Sequence, residues 1–113
     1  MPPRDAVYLL HMLQAARLVL SFVEGIDAAA LQADIMRQSA VIRQIEVIGE
    51  AARHVSAEFR AAHPAIPWSK IIAMRNELIH AYHRVALDVV WHVVTEDIPT
   101  LIAQLEPLVP PEE

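Results

Sequence analysis

Arg75 and His80 stand five residues apart in the segment MRNELIHAY, Met74 to Tyr82, with Asn76 after the arginine and Tyr82 two places beyond the histidine. Arginine carries a permanent planar cation that fits oxyanions. Histidine gains and loses a proton near neutral pH. Together they suit a reaction in which an anion builds charge while a proton moves. Each also has a plain structural reading. On a helix, Trp68, Ile71, Ile72, Leu78, Ile79 and Tyr82 all fall within about 60° of Arg75. Arg75 is then in the middle of an apolar stripe, where an unpaired charge is costly. A carboxylate from another helix, Glu46 or Glu50, would neutralise it. His80 lies about 140° round from Arg75, on the side of Ser69 and Asn76. The two meet only in a cleft at the helix end, or across a symmetry axis facing a second copy. A histidine near a helix C-terminus also suits the helix dipole. Tyr82 reads equally well as an anchor for the helix end, with its ring on Leu78 and Ile79.

Other chemistry is poorly supported. His80 and His83 form an H-x-x-H pair without a third ligand at suitable spacing, so no metal site is assigned. Asp88, His92 and Glu96 are four apart and read as a solvated helix face. Glycine-rich phosphate loops, G-x-S-x-G and H-E-x-x-H are all absent from the sequence. Trp68 and Trp91 fall on apolar stripes and are expected in the core.

The elements that must position Arg75 and His80 are helical throughout. Residues 4 to 24 show a polar stripe of His11, Gln14, Arg17, Ser21 and Glu24. The remaining arc, from Leu9 to Val23, is wider than one helix neighbour requires. Gly25 is a natural stop and Asp27 a natural cap for the next helix. Ala28 to about Arg53 continues as helix, with a break expected near Asp34 to Gln38. Val41, Ile45, Ile48 and Ala52 form its apolar line, with Arg43, Glu46, Glu50 and Arg53 spaced for intrahelical ion pairs. Gly49 beside that line is expected to permit close helix packing. Ser56 caps a short helix, and HPAIP breaks the chain before the motif helix, which runs from Trp68 to about Ala81 with Pro67 in its first turn. YHRVAL connects to a last helix from about Leu87 to Leu105, which Pro99 is expected to kink or divide. A tail starts near residue 106. These elements predict an all-α bundle of four to five helices forming one domain over residues 1–113.

Composition narrows the setting. The 113 residues are 55% hydrophobic and 20% charged, with two glycines and no cysteine, which excludes disulfides and thiolate metal sites. The longest stretch free of Asp, Glu, Lys and Arg, Ala6 to Ala16, is too short to span a bilayer. The N-terminus lacks a cationic segment followed by a cleavable apolar one. The expectation is a soluble cytoplasmic protein with no membrane attachment. A domain of this size leaves part of so apolar a chain exposed, and oligomerisation would use that surplus. The net charge of −5 disfavours a generic nucleic-acid coat. Residues 60 to 92, however, hold Arg60, Lys70, Arg75 and Arg84 against Glu77 and Asp88, a local balance of +2 that leaves −7 elsewhere. Any phosphate-bearing ligand is to be sought near the motif.

The segment RNELIHAY, read as R-x-x-x-x-H-x-Y with Asn after the Arg, resembles the signature of HepT-like proteins, the toxin branch of the HEPN superfamily. AVIRQIEVIGEAA (Ala40 to Ala52), HPAIPW (His63 to Trp68) and WHVVTEDIP (Trp91 to Pro99) resemble the same family in order and spacing, so the likeness covers roughly Arg4 to Leu105. It implies a HEPN-type helical bundle that forms a homodimer, with the motif helices of two protomers lining one cleft. The activity it implies is that of a toxin in a type VII toxin–antitoxin system, a metal-independent endoribonuclease needing no cofactor. The implied partner is a MntA-like minimal nucleotidyltransferase, the antitoxin, which transfers AMP to the motif tyrosine. By position, Arg75 and His80 become the catalytic pair, Asn76 supports them, and Tyr82 is the AMP acceptor.

The residue types agree with that chemistry. The 2′-OH of RNA can attack the adjacent phosphorus without a metal if one group moves a proton and a fixed cation stabilises the phosphorane-like transition state. Two copies in one cleft would also unite Arg and His groups that a single helix separates. A second reading is a non-catalytic helical partner that docks a nucleotidyltransferase without cutting RNA; the acidic net charge favours it, and the intact motif favours the nuclease.

Overall fold

The computed structural model describes residues 2–80 and 87–110, without the side chains of residues 76–80. The described residues are helical, in the order α1 (Pro3–Phe22), α2 (Ala28–Gln32), α3 (Ile35–His54), α4 (Ala57–Ala62), α5 (Trp68–His80), α6 (Leu87–His92), a π-helical turn (Val93–Asp97) and α7 (Ile98–Leu105), with no strand among them. The all-α expectation holds. Four long rods make the bundle: α1, α3, α5 and the continuous α6–π–α7 path. The YHRVAL connection, apart from its last residue, lies outside the described residues.

Local chemistry sets most of the boundaries. Gly25 takes φ +76°, a conformation that costs glycine little, and ends the first helical segment. Asp27 accepts the Ala30 N–H at 2.9 Å and Asp34 accepts the Arg37 N–H at 3.0 Å, so each caps the helix directly after it. The expected break therefore falls at Ala33 and Asp34. Gln38 fastens it by donating through Nε2 to the carbonyls of Leu31 and Gln32, both at 2.9 Å. Ser56 accepts the Phe59 N–H at 3.1 Å and starts α4. Pro67 differs slightly from expectation. Its carbonyl accepts the Ile71 N–H at 3.0 Å, so it caps α5 from just outside instead of lying in the first turn.

The core runs along α1, where Leu9, Met12, Leu13, Ala15, Ala16 and Val19 are buried. The wide apolar arc of this helix serves two neighbours inside the chain, α3 on one side and α7 on the other. Its outer side is less covered: Leu10, Leu20 and Phe22 are part-buried and Leu18 is exposed. One long-range polar tie fixes its start. Asp5, only 1% exposed, accepts the Ser56 N–H at 2.8 Å and the Ser56 hydroxyl at 2.7 Å, clamping α1 to the α3–α4 corner. Sequence reading missed this residue.

Pro99 cannot donate to the carbonyl of Thr95. The irregularity falls just before the proline, as a π turn that divides the helical path into α6 and α7. The Ile98 N–H reaches the carbonyl of Val93, five residues back. The hydroxyls of Thr95 and Thr100 donate to the carbonyls of Trp91 (2.9 Å) and Glu96 (3.1 Å). Across the turn Val90, Val93, Val94, Ile98, Leu101 and Leu105 all remain buried. The tail from Glu106 folds into a turn that sets Leu108 and Val109 against the core. No helix among the described residues is long and apolar enough to cross a membrane.

Candidate functional site

The motif helix α5 crosses α3 at Gly49. A Cβ built on Gly49 would collide with the Cβ of Arg75 and come within 3.2 Å of the carbonyl oxygen of Ile71. The absence of a side chain there lets the two backbones approach, as the sequence suggested. It also lays the stem of Arg75 directly over α3.

The next residue on α3 meets the head of Arg75. Glu50 Oε2 lies 3.3 Å from Arg75 Nε. Of the two carboxylates proposed as partners, Glu50 takes the role. Glu46 instead faces Arg43 at 3.8 Å. The pair is not deeply buried, however, since the Arg75 and Glu50 side chains are 29% and 40% exposed. Arg75 therefore sits at the rim of the bundle, and solvent explains how it is tolerated at the centre of an apolar stripe.

Glu50 gathers further partners along its own helix. Its Oε1 accepts from Arg53 Nη2 at 2.8 Å and lies 3.0 Å from His54 Nε2. The hydrogen bonds from Arg53 and His54 outweigh partial desolvation and, with the nearby charges of Arg53 and Arg75, hold the Glu50 pKa down at about 2 against an ordinary 4.5. The carboxylate is thus ionised throughout the physiological range. Among the described residues, two permanent cations, Arg53 and Arg75, flank this one anion.

His54 is itself held in place. Its ring stacks on Tyr8 of α1, with centroids 5.1 Å apart and planes 20° apart, and His11 meets Tyr8 edge-on at 5.9 Å. Tyr8, His11, Arg43, Val47, Glu50, Ala51 and His54 line a cavity of about 240 Å³ between α1 and α3. A separate apolar cavity of about 200 Å³ lies between α3, α5 and α7, lined by Ile45, Ile71, Met74 and Leu101 among others, with Lys70 and Asp97 at its edge.

The other sequence-predicted site residues are placed less fully. Asn76 and His80 lie on α5, which runs through His80, but their side chains are outside the described set. Tyr82 and His83 lie outside the described residues. Among the described residues, no group of three or more His, Asp or Glu converges in an arrangement that could hold a metal ion. Trp68 is buried and Trp91 packs against the core, as expected. Tyr8 and His54 were not singled out from the sequence. For His54 the signal was present, since it stands four residues after Glu50 on one helix.

The sequence profile described as "Ribonuclease HepT-like" matches residues 12–108. The chain belongs to the ribonuclease HepT-like family. It is similar to "Probable ribonuclease HepT" of Thermococcus cleftensis, 41% identical over 101 residues that cover 89% of this chain and 92% of that protein. It is also similar to "Putative RNase MJ1380" of Methanocaldococcus jannaschii, 36% identical over 94% of this chain and 98% of the other. "Putative RNase TTE0752" of Caldanaerobacter subterraneus is 34% identical over 94% of this chain and 95% of its own length. No solved structure matches the chain significantly. Membership of a ribonuclease HepT-like family gives the Arg75 cluster a context that geometry alone did not supply.

Proposed function

We propose that this protein is a metal-independent endoribonuclease, the cytoplasmic toxin of a type VII toxin–antitoxin pair, and that Arg75 and His80 perform the cleavage. The observation that carries the reading is Arg75 itself. It is a cation held at the solvent edge of the motif helix by Glu50, in a chain of the ribonuclease HepT-like family.

In this reaction the 2′-OH of a nucleotide attacks the adjacent phosphorus. A neutral histidine takes the proton from the 2′-OH, and the bond to the 5′-oxygen of the next nucleotide breaks. That oxygen leaves with a proton, so the products are a 2′,3′-cyclic phosphate and a free 5′-OH. Arg75 stabilises the charge that accumulates on the non-bridging oxygens. Asn76 supports the phosphate, and the His80 of each protomer in a homodimer serves as proton acceptor or donor. The dimer reading rests on α5. Its Ile71, Ile72 and Met74 are only part-buried, and the principal neighbour of α5 among the described residues is α3.

The regulation we propose is electrostatic. A MntA-like nucleotidyltransferase would transfer AMP to the Tyr82 hydroxyl, placing a bulky anion where the RNA phosphate binds. The runner-up, a non-catalytic helical partner of such a nucleotidyltransferase, is favoured by the net charge of −5.

The test uses purified protein and a labelled RNA in the presence of EDTA. The expected result is cleavage to cyclic-phosphate ends by the wild type and none by His80→Ala, with unchanged helical signal and melting. Full cleavage by His80→Ala, or loss of wild-type cleavage with EDTA, would overturn the mechanism. A wild type that binds the nucleotidyltransferase without ever cutting RNA would establish the runner-up. Mass spectrometry after co-expression then decides whether Tyr82 carries AMP.

A further inference from the structure

We infer that Glu50, brought into reach by Gly49, is the positioning residue of Arg75: it fixes the guanidinium at the solvent edge of α5 in the orientation a phosphate requires. The inference rests on the reading of Arg75 as the transition-state cation. It assigns a task to α3, a helix on which the motif itself has no residue.

Three features carry it. First, the crossing is specific to these two residues. A side chain at Gly49 would meet the Cβ of Arg75, so the stem of Arg75 is registered against α3 before its head makes any contact. Second, the head is engaged through Nε. Glu50 Oε2 sits 3.3 Å from that atom, is itself shielded from water, and makes no aligned hydrogen bond. A shielded carboxylate oxygen without a hydrogen bond is held by charge alone, so its partner's position matters to it. A carboxylate at Nε restrains the plane of the whole guanidinium, because the group is rigid and planar. Third, Glu50 is not free to swing away. Arg53 and His54 hold its other oxygen at 2.8 and 3.0 Å, and Tyr8 stacks on His54 from α1. The chain of contacts Tyr8–His54–Glu50–Arg75 ties the cation to both α1 and α3.

A purely structural ion pair would look different in one respect. It would cancel a charge buried within the core, yet here both side chains are partly exposed even though the contacting Oε2 is shielded, and a part-exposed ion pair contributes little to stability. What remains for such a pair is orientation. A misplacement of about 1 Å in a group that stabilises a transition state can cost on the order of 100-fold in rate.

The experiment compares wild type, Glu50→Gln, Glu50→Asp, Arg75→Lys and the double variant Glu50→Gln/Arg75→Lys. For each, the single-turnover rate on saturating labelled RNA, the RNA Kd and the melting temperature are measured; in wild type, Glu50→Gln and Glu50→Asp the Arg75 Nε–H signal in ¹⁵N NMR is followed as well. Glu50→Gln is expected to slow cleavage by about 10- to 100-fold, with Kd and melting temperature close to wild type and a shifted, faster-exchanging Nε–H signal. Glu50→Asp, which keeps the charge, is expected to recover part of the rate. In the double variant the loss is expected to be less than the product of the single losses, since both residues act through one guanidinium. Wild-type rate and an unmoved Nε–H signal in Glu50→Gln would overturn the inference, as would losses that multiply. Equal rate losses in Gln and Asp that track a fall in melting temperature would also overturn it, by marking a structural role. Arg75→Ala separates the two levels. If it cuts at the wild-type rate, Arg75 is not catalytic and both readings fall; if it is inactive beside a fully active Glu50→Gln, the inference on Glu50 alone falls.

Discussion

Helices α1 and α5 both carry broad apolar stripes, but the bundle treats them differently. α1 lies between α3 and α7 and buries Leu9, Met12, Leu13, Ala15, Ala16 and Val19, leaving Val7 and Leu18 exposed on its outer side. α5 leans mainly on α3, and of its described apolar residues only Trp68 is buried, while Ile71, Ile72 and Met74 stay half-covered. The helix with the more complete burial holds no candidate chemistry. The helix with less of it carries Arg75 at its exposed edge. A cation that must meet a substrate needs water and access, and a helix packed on every side could give neither. On the proposed reading, incomplete packing on α5 is what leaves Arg75 accessible to substrate, and α1 supplies the rigidity behind it.

If the division of labour is right, removing Arg75 should act on rate and leave the fold alone. Arg75→Ala is expected to lower RNA cleavage by about 100- to 1,000-fold, the usual cost of losing one transition-state stabiliser. Its urea midpoint should stay near that of the wild type, because the side chain is 29% exposed. Stopped activity with a collapsed melt would instead make Arg75 a core residue and erase the contrast with α1.

Leu9→Ala should do the opposite. Leu9 is fully buried, and truncation at such a site typically costs about 2–5 kcal/mol. Urea denaturation reads the loss, and cleavage per folded molecule should be retained. Asp5→Ala is expected to cost about 1–3 kcal/mol, because the Ser56 N–H loses its acceptor in a part-buried place. Hydrogen exchange should show the amides at the start of α1 and at the α3–α4 corner losing protection together.

Ile72→Ala sharpens the comparison from the other side. As a half-covered residue it should cost about 1 kcal/mol or less within the protomer, and sedimentation should show its larger effect on self-association if α5 faces a second copy. The smallest expected effect is electrostatic. Because folding lowers the Glu50 pKa from 4.5 to about 2, its contacts stabilise the fold above pH 4.5, and that contribution fades as pH falls toward 2. The stability difference between wild type and Glu50→Gln should therefore shrink across that window and stay constant above it. Exposure and salt keep it small. A difference that grew on acidification would mean that the carboxylate is not stabilised in its ionised form.

Much of this was legible in the residues alone, and the legible part is local. Asp27 and Ser56 announce helix starts because a side-chain oxygen reaches an amide three residues on. Gly25 announces an end because only its backbone takes φ +76° at low cost. Gly49 announced a close crossing, and the spacing of Glu50 and Arg53 announced their 2.8 Å pair. Family membership too could be read from linear motifs, since it is a property of residue order. The tertiary structure decided what depends on which distant residue arrives. It placed Asp5 on Ser56, 51 positions away. It chose Glu50 over Glu46 for Arg75, because the side chain of Glu46 turns along its own helix to Arg43. It spent the apolar arc of α1 on two neighbours where periodicity can only say that an arc is wide. It set a π turn just before Pro99, with Val90, Val93, Val94, Ile98, Leu101 and Leu105 all buried across it. Interactions within three or four residues are fixed by helical geometry before the chain folds. Partners across helices are selected only by the packing of the whole bundle.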